Sequence, residues 1–142
     1  MRSDQKNKAL KIVIADDDAD DRHLASLAFG EAQLNHSLNF VVNGQELMDH
    51  LQLLVNNNEE LPDLVLLDLN MPKKDGRVAL KEIRSNPSLE KINVIIFSTS
   101  ISAADTLFVS ALGVNRCIIK PCGFFDLVEV MRGICESMLA VN

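Results

Sequence analysis

Leu64-Val65-Leu66-Leu67-Asp68-Leu69-Asn70-Met71-Pro72 is the stretch on which the reading of this chain turns. It opens as an unbroken apolar run. That pattern suits a strand buried on both faces, as in a parallel sheet covered by helices. The run meets a carboxylate at Asp68, and Pro72 and Gly76 then break the chain direction. A buried, unpaired carboxylate is costly, and in open α/β sheets the carboxyl ends of the strands are where ligands bind. Taken alone, Asp68 reads as a cap on the next turn. The other strand ends alter that reading.

Working outward, Lys11 to Ala15 is a short apolar strand that ends in Asp16-Asp17-Asp18. A helix follows, with acidic residues near its amino end where they suit the helix dipole, and an apolar stripe of Leu24, Leu27, Ala28 and Ala32. Leu38 to Val42 forms a second strand closed by Asn43-Gly44, and Leu47, Leu51, Leu54 and Val55 recur at helical spacing. The third strand is Asp63 to Asp68. Beyond Gly76 a helix carries Ala79, Leu80 and Ile83 and stops near Asn86-Pro87. Asn93 to Phe97 is a fourth strand ending in Ser98-Thr99-Ser100, and a helix from Ala103 to Leu112 is closed by Gly113. Arg116 to Ile119 is the fifth strand, ending in Lys120-Pro121, and a last helix runs from Gly123 to Ala140. Residues 1–10 read as a flexible lead-in and residues 11–142 as one domain, with nothing left over for an output module. Strands alternating with helices in this way predict a doubly wound parallel sheet of the α/β class.

Bulk properties narrow the function. A chain of 142 residues, 47% hydrophobic and 24% charged, suits a single globular domain with a real core. A net charge of −6 argues against nucleic acid and anionic membranes as partners. No apolar stretch is long enough to span a bilayer, and the polar segment Met1 to Lys8 is no secretory signal. Cys117, Cys122 and Cys135 lack metal-site spacing and are odd in number, which predicts reduced thiols and a cytoplasmic location.

Parallel strands bring Asp16, Asp17, Asp68, Ser98 and Lys120 to one edge of the sheet. Carboxylates gathered there repel one another, and a divalent cation relieves the repulsion. Mg2+ fits best, because it takes oxygen ligands, keeps several waters and pairs with phosphate. No His or Cys converges there to favour zinc. A carboxylate nucleophile, a metal, a cation and a hydroxyl together describe phosphoryl transfer to Asp.

These motifs resemble the receiver domain of two-component response regulators. The resemblance rests on Ile12-Val13-Ile14-Ala15-Asp16-Asp17, on Leu66 to Gly76, on the Ser98 strand end and on Lys120-Pro121. It covers the chain from about Lys11 to about Leu139 and is similar in layout to the small stand-alone regulators that include those serving bacterial phytochromes. It implies a five-stranded flavodoxin-like fold with strand order 2-1-3-4-5. It implies that Asp68 accepts a phosphoryl group from a sensor histidine kinase, and that the protein turns over no free metabolite. Asp17 and Asp68 are implied to ligate Mg2+ directly with the Asn70 main-chain carbonyl, and Asp16 through water. Lys120 is implied to pair with Asp68 and then with the phosphoryl group, and Ser98 to swing towards that group. One position departs from the family. Cys117 stands where an aromatic residue usually turns inward with the hydroxyl, and a small thiol cannot report the switch as a ring would. A buried inert thiol is the favoured reading there over a redox sensor.

Asp18, Asp20 and Asp21 read as solvated residues at a helix start, and His23 as a surface histidine. The fourth and last helices carry apolar residues beyond one face, including Phe108, Val109, Val130 and Met138. This predicts a homodimer through helix four, strand five and helix five. Two other classes fit less well. A phosphatase of the haloacid dehalogenase type wants Asp where Asn70 stands. A flavodoxin-like flavin carrier wants a phosphate loop and stacking aromatics, and the chain has no Trp or Tyr.

Overall fold

A computed structural model of the chain describes residues 9–140; the lead-in expected over 1–10 therefore falls, up to residue 8, outside the described residues. Leu10, which belonged to that lead-in, is instead buried in the core, and its N–H donates to His36 Nδ1 at 2.9 Å.

Ten elements alternate along the chain: β1 (Lys11–Ala15), α1 (Ala19–Glu31), β2 (Ser37–Val41), α2 (Gly44–Asn56), β3 (Leu64–Leu67), α3 (Gly76–Ser85), β4 (Val94–Ser98), α4 (Ala103–Ala111), β5 (Cys117–Ile119) and α5 (Phe124–Ala140). The strands form one parallel sheet in the order β2-β1-β3-β4-β5. This is the flavodoxin-like fold and strand order that the resemblance implies. Strand limits differ from the expected ones by about one residue, as end assignments commonly do.

Alternation along the strands divides the core in two. Val13 of β1, with Val65, Leu67 and Ile96, packs under Leu47 and Leu51 of α2, Ala79, Leu80 and Ile83 of α3, and Val109 of α4. Ile12, Ile14, Leu64 and Leu66 face the other way, against Ala25, Ala28 and Phe29 of α1 and Leu127, Val128, Met131, Ile134 and Cys135 of α5. Helices cover both faces, which is why β3 can be apolar throughout.

Two expectations fail in phase. In α1 Ala28 and Ala32 are buried as expected, together with Ala25 and Phe29, but Leu24 and Leu27 are exposed. Asp21 lies on the buried azimuth, one turn before Ala25, and its contact with Lys120 fixes the rotation of the helix. In α4, Val109 is 0% exposed and fills the core, so it is no part of a partner surface. Asp105 shares its face at the i, i+4 spacing, leaving Leu107 and Phe108 outside.

Helix starts are set by side-chain caps. Asp18 accepts from the N–H groups of Asp20 and Asp21, Asn43 from Glu46, Asp75 from Arg77, and Ser102 forms a capping box with Asp105. At the end of β3 the backbone packs unusually close. A Cβ on Gly76 would lie 2.3 Å from the Asp68 carbonyl oxygen. Gly76→Ala is therefore expected to push the strand end aside and lower stability by about 1–3 kcal/mol. An unchanged urea midpoint would show that the strand end yields freely.

Candidate functional site

The sheet register carries the site. Asp68 N–H donates to the Ala15 carbonyl at 3.0 Å and Lys120 N–H to the Ser98 carbonyl at 2.8 Å. Backbone pairing thus extends one residue past the strands, setting Asp68 beside Asp16 and tying Lys120 to Ser98, which stands opposite Ile119. Asp16, Asp68 and Ser98 are buried, and the Lys120 side chain is only 8% exposed.

Lys120 is the centre of charge. Its ammonium lies 2.6 Å from Asp16 Oδ2, 2.9 Å from Asp21 Oδ2 and 2.9 Å from Asp68 Oδ2. Burial alone would lower its pKa, but the hydrogen bonds to the three carboxylates outweigh that effect and hold it well above the ordinary lysine range. Asp16 shifts upward, first because it is buried, although Lys120 and the Asp18 N–H oppose the shift. The other Asp68 oxygen is also occupied: Oδ1 accepts from the Ser98 hydroxyl at 2.8 Å and the Asn70 N–H at 2.9 Å. The Asn70 side-chain amide reaches the Ser98 hydroxyl oxygen at 3.4 Å.

Asp17 is exposed on the outer side of the cluster, and Asp16, Asp17 and Asp68 each offer a carboxylate oxygen within 4.8 Å of the others. Oxygen donors at this spacing suit a hard divalent cation that keeps part of its water shell.

A sequence profile of the response regulator receiver domain matches residues 12–132. The chain belongs to that family. The receiver domain is 35% identical over 133 residues to the response regulator Rcp1 of Synechocystis, a match covering 93% of this chain and 90% of Rcp1. The crystal structure of the phosphorylated cyanobacterial phytochrome response regulator RcpA superposes with a TM-score of 0.83 at 36% identity, over 95% of this chain and 97% of that one. A Mn2+-bound form of Rcp1 gives 0.78 at 32% identity, over 93% and 96%. The receiver domain is thus a two-component signalling protein, and among its described residues no helix is long and apolar enough to cross a membrane.

Asp16, Asp17, Asp68, Ser98 and Lys120, expected together from strand ends alone, do converge in this receiver domain, and Asn70 joins them through its N–H and its amide. Asp21 was missed. It reads as one more solvated acid at a helix start, and only the phase of Ala25, Ala28 and Ala32 places it on the inward face. Arg22 was also missed; its guanidinium donates to the Asp16 carbonyl at 2.8 Å and steadies the turn after β1. Cys117 is half-buried on β5, where burial and then the charge of Asp105 raise its thiol pKa, a direction that disfavours the reactive thiolate.

Proposed function

We propose that this receiver domain accepts a phosphoryl group on Asp68 from the phosphohistidine of a sensor kinase and changes a protein-binding surface in response. The observation that carries this reading is the double engagement of Asp68: Ser98 and Asn70 on one oxygen, Lys120 on the other. An Asp68 oxygen attacks phosphorus as the P–N bond to imidazole breaks, and the electron pair leaves with the imidazole. The product is an acyl phosphate, in which neither Asp68 oxygen keeps the carboxylate charge, so both become weaker acceptors. Ser98 and Lys120 re-aim at the new phosphoryl oxygens, which are the stronger acceptors. Asp16, Asp17 and Asp68, with the Asn70 main-chain carbonyl, would hold Mg2+, which neutralises charge developing on the transferred group. The likeness to RcpA, a cyanobacterial phytochrome response regulator, supports a kinase of the phytochrome type as partner.

The test is incubation with Mg2+ and acetyl phosphate, followed by intact-mass spectrometry. One phosphoryl group per chain is expected with Mg2+, and none in chelator. Asp17→Asn is expected to weaken Mg2+ binding more than Asp16→Asn, because among the described residues Lys120 pairs with Asp16 and no ammonium pairs with Asp17. Equal titrations of the two variants would move the metal site elsewhere.

The surface that reports the switch is proposed to be α4, β5 and α5, which also serves as a homodimer contact. It keeps apolar groups in water: Leu107 is 73%, Ile119 60% and Phe125 81% exposed. With Val109 in the core, Leu107→Glu and Phe125→Glu are the informative substitutions. Sedimentation should show a parent dimer that both changes dissociate. A monomer in every state, or a dimer indifferent to both, would refute the contact.

A further inference from the structure

α4 is thinly anchored. It buries one side chain, Val109, where α5 buries five. Two arginines of α3, seven residues apart and hence on one face, grip its two ends. At the far end Arg84 donates through Nε to the Leu112 carbonyl at 2.7 Å and also binds the carbonyls of Glu90 and Ile92. At the end nearer the acceptor, Arg77 Nε donates to Asp105 Oδ1 at 2.7 Å. The same guanidinium donates to Asp75 at 3.0 Å and to the carbonyl of Leu69, next to Asp68, at 3.3 Å. The second oxygen of Asp105 takes the Ser102 N–H at 3.0 Å, closing the cap of α4.

We propose that Arg77 and Asp105 form a latch that holds the first turn of α4 in the resting position and opens when Asp68 is phosphorylated, with Arg84 and Val109 as the pivot. This rests on the reading of Asp68 as the acceptor. Ser98 donates to Asp68 now and must move to meet a phosphoryl oxygen. Only Thr99, Ser100 and Ile101 separate it from Ser102, the cap of α4. A shift of Ser98 is therefore passed to Asp105, while Arg77 stays with the Leu69 carbonyl and Asp75. A charge-assisted bond at this length is lost with a displacement of about 1 Å. Cys117, whose thiol feels the charge of Asp105, has no ring to turn, so the ion pair supplies the two-position element that a small thiol does not.

The test uses beryllofluoride with Mg2+ as the phosphoryl mimic on the full chain. Asp105→Asn keeps an oxygen for the Ser102 N–H and removes the charge that holds Arg77. Arg77→Gln removes the other half and keeps the result interpretable should the first variant fold poorly. Each variant is expected to bind beryllofluoride about 5-fold more tightly or better, since a contact made only in the resting state opposes the switched one. The double variant should gain no more than either single one. Amide NMR signals of α4 in the unliganded variants should lie part-way towards their beryllofluoride-bound positions in the parent. Arg84→Gln should lower the melting temperature without tightening binding. Unchanged or weaker affinity in both latch variants overturns the latch, and so does equal tightening in Arg84→Gln. Failure of the parent to bind beryllofluoride would remove the acceptor reading, and the latch with it.

Discussion

Asp68→Asn is expected to take up no phosphoryl group from acetyl phosphate under conditions that label the parent fully. The amide nitrogen's electron pair is delocalised into the carbonyl, so neither side-chain atom is a nucleophile towards phosphorus. The variant should fold. Its amide oxygen still accepts from Ser98 and the Asn70 N–H, the contacts now made by Asp68 Oδ1. Its NH2 group faces Lys120, which keeps Asp16 and Asp21 as partners. One fewer carboxylate in the cluster also relieves repulsion, so the metal-free variant should be at least as stable as the parent in urea. Loss of labelling with retained stability separates chemistry from folding. Labelling of Asp68→Asn at the parent's level would displace Asp68 from its role.

What the sequence made legible follows from where charge interrupts apolar runs. Asp68, Ser98 and Lys120 each close a buried strand, where a polar residue stands out against Leu, Val and Ile. Parallel topology then gathers them without knowledge of any contact. The strand order itself came from resemblance rather than from periodicity, because alternation of elements does not say which strands are neighbours. Helical residues were harder to read. In α1 half of the expected stripe holds: Ala28 and Ala32 face the core with Ala25 and Phe29, where α1 packs against α5, whereas Leu24 and Leu27 do not. Asp21 and Asp105 look like ordinary surface acids until their partners on distant elements are known. Lys120 and Arg77, from elsewhere in the chain, are those partners. Val109 was taken for a surface residue because α4 is apolar beyond one face. Leu107 and Phe108 are the residues outside the core, and they lie in water.

Lys120→Ala is expected to destabilise the metal-free protein at neutral pH by about 3 kcal/mol, the low end for removing one partner of a buried ion pair. The low end applies because Asp21 is partly exposed and brings water to the rim. The loss should depend on pH with a definite sign. In the parent, the raised pKa of Lys120 contributes stability that is fully present below the unfolded lysine value and is lost only as pH rises through the folded one. That contribution is constant across neutral pH. In the variant, Asp16 loses the ammonium that opposes its upward shift, and Asp68 loses its partner on Oδ2. Asp16 then holds a proton more tightly in the folded chain than in the unfolded one, so stability must fall as pH rises through its folded value. Urea unfolding at pH about 5 and about 8 should show a steeper loss in Lys120→Ala than in the parent, and added Mg2+ should recover part of it at the higher pH. Phosphorylation should still occur, since the nucleophile and the metal ligands remain. The amide shifts that beryllofluoride induces in α4 should shrink, because one of the two groups that re-aim at the phosphoryl oxygens is gone. Parallel pH profiles in variant and parent would mean that Lys120 is not what opposes the upward shift of Asp16. A full beryllofluoride response in the variant would leave Ser98 as the sole carrier of the switch.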